Sequence, residues 1–289
     1  MNLRSIHVFF HSGIAFILWW SLLTGALVVT SSQPGITTEN QPLGCMAKPW
    51  VEAKVVRIVG SQTVETAKGL RVKLASIKVP NLITTNQGVR NASLVKRARK
   101  LLTQLTLNKK VALVFDTSKP DRYGRKLAHI LVFSTSKSPN TWVQAEMITR
   151  GLARIFPNTI DAPCITQLLE MEKAARLKRT GMWKNRFYRV IQAENLETLN
   201  RSLGRLQLVE GRVYSVSVRR SSIYINFSTD WKRDFTVTLS PRTYKMFTQR
   251  GINIKQLADR NIRVRGWLDR HNGPTITVNH VAQIEILKD

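Results

Sequence analysis

Pro120-Asp121-Arg122-Tyr123-Gly124-Arg125-Lys126-Leu127-Ala128 lies between two apolar runs, Val111–Phe115 and Lys126–Phe133. Pro, Asp and Gly are turn residues, each for its own reason: Pro presets φ, the Asp carboxylate bonds back to nearby amides, and Gly accepts a positive φ. Apolar runs on either side of such a turn read as paired strands, so the stretch predicts a hairpin with Tyr123 and Arg125 at its tip. Asp116 and Asp121 flank that hairpin and are expected to satisfy turn amides.

Moving upstream, Ala53–Ile58, Gln62–Thr66 and Leu70–Ile77 have the alternating, β-branched character of strands. Ser93–Leu105 reads as a basic helix, with Leu94, Ala98, Leu101, Leu102 and Leu105 on one side and Lys96, Arg97, Arg99 and Lys100 elsewhere. Downstream, Trp142–Ile155 reads as a second helix and Ala162–Trp183 as a third, ended by Gly181. Residues 187–206 are weakly patterned and are expected to be a linker. The last section again predicts strands, at Leu208–Val218, Ile223–Phe227, Phe235–Leu239, Ile262–Leu268 and Thr275–Val278. A helical stretch, Pro241–Arg250 continuing near Asn253–Leu257, falls between the third and fourth. That is the element order of an OB-fold barrel.

The chain has 289 residues, with 45 Lys+Arg against 18 Asp+Glu and a net charge of +27. Its apolar content of 43% excludes a disordered chain. The charge points to a polyanionic partner: nucleic acid, anionic lipid or a similar polymer. Arg4 precedes a continuous apolar run, Gly13–Val29, and no charge occurs between Arg4 and Glu39. Residues 1–31 therefore read as a signal peptide or a signal anchor, followed by a proline-bearing linker at 32–49. Such a chain is expected to be exported, whether periplasmic, secreted or membrane-anchored facing outside the cytoplasm. Export into an oxidising compartment makes a Cys45–Cys164 disulfide the natural pairing, two unrelated buried thiols being the alternative. Neither cysteine has zinc-site spacing, so no metal site is expected from them.

The region from 50 to 186 resembles the thermonuclease (staphylococcal-nuclease-like) family in ordered pieces. The hairpin tip resembles the family's D-x-Y-G-R-x-L-A motif. Gly151-Leu152-Ala153 matches its helix end, and Ala174-Ala175-Arg176-Leu177 with Gly181-Met182-Trp183 resembles its last basic helix. The resemblance implies an α+β, mainly β architecture. Two OB-fold-like five-stranded barrels would stand in tandem, the first carrying the three helices of the staphylococcal-nuclease fold and the second spanning 207–289.

The family's activity is calcium-assisted phosphodiester hydrolysis, and its positions can be carried over one by one. Gln62 falls at a metal-binding Asp, Lys73 at a phosphate-binding Arg, Lys78 at a second metal-binding Asp and Asn81 at the general-base Glu. Arg125 alone keeps its type. Calcium needs hard oxygen ligands, usually carboxylates, and an amide cannot serve as a general base near working pH. Calcium is therefore predicted not to bind, and no other cofactor is called for. The expected function is nucleic-acid or other polyanion binding by a degenerate site, with Lys73, Lys78, Tyr123 and Arg125 as phosphate contacts. Arg219, Arg220, Trp231, Lys232 and Arg233 would add contacts on the second barrel, where Arg263, Arg265 and Arg270 also alternate with aromatics. The alternatives are a metal-dependent phosphodiesterase with a rearranged site, and an envelope structural or protein-interaction module. The N-terminal segment adds possible membrane attachment.

Overall fold

The computed structural model describes residues 49–85, 88–116, 119–133, 140–157, 162–230 and 233–287, all within one compact unit, Asn40–Asp289. The predicted signal segment, Cys45, Trp231 and Lys232 lie outside the described residues. No helix among the described residues is long and apolar enough to cross a membrane.

The chain opens with three antiparallel strands, β1 (Val51–Ile58), β2 (Thr63–Thr66) and β3 (Arg71–Leu74). The predicted strand Leu70–Ile77 is broken: Ser76 adopts φ 59° in a turn, and β4 (Ile77–Lys78) leaves in another direction. A small ribbon, β5 (Ile83–Thr85) with β6 (Gly88–Arg90), leads into α1 (Ala92–Thr106). This helix follows the predicted amphipathic pattern. Ala98, Leu101, Leu102 and Thr106 are buried, while Lys96, Arg97 and Lys100 face solvent.

The predicted hairpin is β7 (Lys110–Phe115) and β8 (Lys126–Val132), paired from Val111↔Val132 to Phe115↔Ala128. Strand β8 also runs parallel to β3, with Lys73 opposite Leu127. That pairing closes β1, β2, β3, β8 and β7 into a five-stranded barrel, which removes free sheet edges. It also carries the hairpin tip back to β3, bringing together residues about fifty positions apart in sequence.

After β9 (Thr141–Trp142), helix α2 (Val143–Thr149) covers β8. The wholly buried Gln144 pins it there by accepting from the Ile130 amide and donating to the Ala128 carbonyl. The predicted helix over Trp142–Ile155 is therefore too long. Gly151, at φ 60°, turns the chain into β10 (Arg154–Ile155), which pairs with β4 so that Arg154 lies opposite Lys78. The third helix, α3 (Ala162–Leu177), ends before the predicted Trp183, and Gly181–Lys184 form a 3₁₀ turn. Gly151 and Gly181 pack backbone to backbone: the Met182 amide donates to the Gly151 carbonyl at 2.8 Å. A Cβ on Gly151 would lie 2.1 Å from the Thr180 carbonyl oxygen.

Residues 187–206 hold β11 (Ile191–Gln192), parallel to the following strand, and α4 (Leu196–Arg201). The second sheet continues with β12 (Arg205–Arg212), β13 (Ser215–Val218), β14 (Ile223–Asn226) and β15 (Thr236–Leu239). After α5 (Pro241–Gln249), capped by the Ser240 hydroxyl on the Thr243 amide, come β16 (Asn261–His271), β17 (Gly273–Val278) and β18 (Ile284–Ile286). The predicted Leu208–Val218 strand is thus two strands, and β18 extends the predicted set. The order β11-β12-β16-β17-β15-β14-β13, with β18 also on β16, makes a curled sheet around its own apolar core.

Strand β16 shows what joins the two halves. Ile262, Val264 and Leu268 point into the core of the second sheet. Arg263, Arg265 and Trp267 alternate with them, and so project from the opposite face. Arg265, 1% exposed, inserts against α3: it donates to Glu172 Oε2 at 2.7 Å, while Glu172 Oε1 accepts from the Ile155 amide at 2.8 Å. Glu285 takes a second bond from Arg265 and also pairs with Arg263, which is held by Glu210 at 2.7 Å. Burial alone would lower the Arg265 pKa, but Glu172 and Glu285 outweigh it and raise the group above its ordinary value. Beside this network an apolar cluster of Ala175, Met182, Trp183, Tyr188 and Leu208 seals the contact.

Candidate functional site

Closure of the barrel brings four of the sequence-predicted positions near one another, Lys73, Lys78 and Arg125 within reach of each other's charge and Gln62 bonded to the backbone next to each lysine. Gln62, in the turn before β2, accepts from the Val79 amide at 3.1 Å through its side chain. Its carbonyl takes the Leu74 amide at 3.0 Å, so it links the ends of β3 and β4. Lys73 on β3 and Lys78 on β4 flank that link. Arg125 arrives from the hairpin and is held by Asp121, whose Oδ2 accepts from Nε at 2.9 Å and Nη2 at 2.6 Å. Asp121 Oδ1 accepts the Tyr123 and Arg125 amides, which is the expected turn role.

The cations feel one another. Burial, then Arg125 and then Lys78, pull Lys73 below its ordinary pKa, with Asp121 opposing. Burial and then Arg125 pull Lys78 down in the same sense. Arg154, opposite Lys78 in the β4–β10 ladder, is 7% exposed; burial is the main cause of its fall to about 10. An anion entering this cleft would relieve an electrostatic cost that the protein carries without it. Arg125 still has Nη1 to offer, and Tyr123, 62% exposed, presents its ring beside the Arg122 and Arg125 guanidiniums, each 4.9 Å from the ring centre.

Asn81 lies further out. It is exposed, and its carbonyl accepts from Asn91 Nδ2 at 2.9 Å at the entrance to α1. On the second sheet, Arg219 lines a separate pocket of about 300 Å³ with Tyr224, Asn226 and His271. Arg220 is exposed nearby, and Arg233 is an exposed partner of Asp230 at 3.8 Å. Cys164 is fully buried and disulfide-bonded.

Arg263 and Arg265 are not surface contacts. They are spent on carboxylates in the buried junction described above, so they add nothing to the basic surface expected on the second barrel. Trp267, next on the same face, is one of the aromatics that interleave with those basic residues, a pattern that places it on the second barrel but not beside Lys78. It reaches the cleft from the second sheet, with Lys78 Nζ 5.9 Å from its ring centre and Phe156 edge-on at 6.4 Å. The only sequence signal was the Arg-x-Arg-x-Trp alternation itself, which says that these three share a face but not what the face meets.

The cleft does not suit calcium. The Asp121 carboxylate is bound to Arg125, the Gln62 oxygen is engaged by a backbone amide, and two lysines and an arginine occupy the surroundings. Among the described residues no group of three or more His, Cys, Asp or Glu is placed to hold a metal ion. Glu65, the nearest acid in sequence, lies under Arg57 and Arg71, whose hydrogen bonds hold its carboxyl below the ordinary value.

Comparison with known proteins adds a relationship to this geometry. Residues 71–185 match the family described as Staphylococcal nuclease homologue. A micrococcal nuclease of Shigella flexneri is 29% identical over 138 residues, 46% of this chain and 73% of the relative. Protein ParB of Escherichia coli is 28% identical over 148 residues, 47% of this chain and 75% of the relative. An uncharacterized protein of Bacillus anthracis is 32% identical over 151 residues, 48% of this chain and 67% of the relative.

Proposed function

Since the chain belongs to the staphylococcal nuclease homologue family over residues 71–185, we propose that it binds nucleic acid through a cationic version of that family's site and does not cut it by the calcium route. The carrying observation is the convergence of Lys73, Lys78 and Arg125 where the resemblance expects two arginines and a metal-binding carboxylate. Ammonium groups replace the divalent ion as phosphate partners, Lys acting as a point charge and Arg as a planar donor. With Lys78 in place of a carboxylate and Asn81 in place of the base, the site lacks the metal ligand and the general base that the resemblance expects. Trp267 gives the cleft an aromatic wall for stacking a base.

The curled sheet of the second half supports an OB-like reading, in which Arg219 and Tyr224 offer a further basic and aromatic surface. The apolar Gly13–Val29 run supports export, with the protein acting outside the cytoplasm and attached to the membrane if the segment is retained.

The test is binding of fluorescent single- and double-stranded oligonucleotides, with calcium or with chelator. Retention that weakens steeply with salt, drops in Lys73→Ala/Lys78→Ala and leaves the oligonucleotide intact is expected. Calcium-dependent cleavage that disappears in Arg125→Ala would overturn the reading.

A further inference from the structure

A second basic feature lies outside this cleft. The segment Asn185–Gln192, helix α4, the start of β12 and the entrance to α1 enclose a groove of about 1360 Å³. Four of its lining residues are arginines, Arg186, Arg189, Arg201 and Arg205, and among the described residues that line it none is an acid. Glu197 offsets Arg201 at 2.8 Å. Among the described residues no ion pair neutralises Arg186, Arg189 or Arg205. Arg205 lies over the Phe187 ring at 4.7 Å, and the other parts of that ring pack on Tyr188 and the apolar junction. The Arg205 guanidinium is thus stacked on the groove wall.

The groove adjoins the cleft through one short segment. Lys78 belongs to the cleft; Ile83 and Asn91 belong to the groove, and Asn91 ties itself to the Asn81 carbonyl between them. On the other side, β12 carries Arg205 into the groove, while Leu206 pairs with Trp267 of the cleft. Two cationic recesses are thus separated by single segments of backbone.

We propose that this groove binds the sugar–phosphate backbone of single-stranded nucleic acid whose neighbouring nucleotides occupy the cleft, an inference that rests on the nucleic-acid reading above. A concave, arginine-lined channel matches how single strands are held: charge follows the phosphates, and the guanidinium plane of Arg205, stacked on Phe187, offers a flat group to a base. Amides of Asn185, Gln192 and Asn195 on the groove wall supply donors for sugar and base edges. A flat basic face would suit a lipid surface better than a recess does.

The test uses the full chain, a fluorescent deoxythymidine 20-mer, and Arg186→Ala/Arg189→Ala/Arg205→Ala, with a triple Arg→Lys variant alongside. The alanine variant should bind about tenfold or more weakly at low salt. Its log–log salt slope should be shallower by about 2, as expected for three lost contacts to a single strand. The lysine variant should keep most of the slope, and thermal melting should show that both variants fold. Wild-type binding with the same affinity and slope in the folded alanine variant would overturn the groove but leave the cleft reading intact. Loss in that variant of binding to phosphatidylglycerol vesicles, with oligonucleotide binding unchanged, would overturn it in favour of a lipid surface. Absence of wild-type oligonucleotide binding would overturn both readings.

Discussion

Glu172→Gln tests the junction on which the composite cleft depends. The carboxylate is wholly buried and accepts two bonds, from Arg265 Nη1 at 2.7 Å and from the Ile155 amide at 2.8 Å. A glutamine retains one carbonyl oxygen and turns its amide group toward a donor, so one bond is replaced by donor against donor. It also leaves the buried Arg265 guanidinium with Glu285 alone. Breaking a buried pair from one side costs about 3–5 kcal/mol. The surviving Glu285 bond places the expected loss at the low end, about 3 kcal/mol. For a protein of this size that lowers the thermal midpoint by about 6–12 °C. The assay is thermal unfolding followed by circular dichroism, with urea unfolding as the second measure. The double variant Glu172→Leu/Arg265→Met removes both charges of the central pair and should recover part of the loss, the remainder reflecting Arg176, which also gives up its pairing with Glu172 at 3.6 Å. A Glu172→Gln midpoint within about 2 °C of wild type would refute the reasoning, since a buried pair worth that little could not hold the sheets together.

Three further outcomes are expected. Binding should weaken as pH rises from neutral toward 10.5, earlier than ordinary lysines would dictate: Lys73 and Lys78 bind an anion while protonated, and both lose their protons below that value. The same depressed values mean that the unfolded chain holds more protons in this window, so stability of the free protein should rise as binding falls. Lys73→Arg/Lys78→Arg should flatten the binding curve, and a titration at fixed ionic strength checks both signs. Trp267→Ala should weaken single-strand binding by about 1–3 kcal/mol, measured by fluorescence anisotropy, with little change in melting because the ring is 44% exposed. Gly181→Ala should cost about 3 kcal/mol or more, read from the urea midpoint: the new Cβ would lie 2.4 Å from both the Arg150 and Gly151 carbonyl oxygens, at a φ of 56°.

Elements whose signals are local can be read from the residues alone. The hairpin tip was legible because turn residues act over four positions, and α1 because its apolar stripe recurs within two turns. The glycines of Gly151-Leu152-Ala153 and Gly181-Met182-Trp183 were legible as signatures, but their mutual contact was not, because nothing local encodes one backbone's approach to another. The same limit lengthened the predicted second helix: Leu152 and Ile155 extend its apolar pattern, yet pairing with β4 claims Arg154 and Ile155 as a strand. The substitutions at Gln62, Lys73, Lys78 and Asn81 were also readable, since residue type needs no coordinates. Only the tertiary structure decided which basic residues are available. Arg265 and Lys78 look alike as charges in a sequence, but one is buried against Glu172 and the other lines the cleft. The physical reason is that alternation along β16 fixes which side chains share a face, whereas the packing of that face on α3 depends on contacts 93 residues apart. That packing pairs Arg265 with a carboxylate and brings Trp267 beside Lys78.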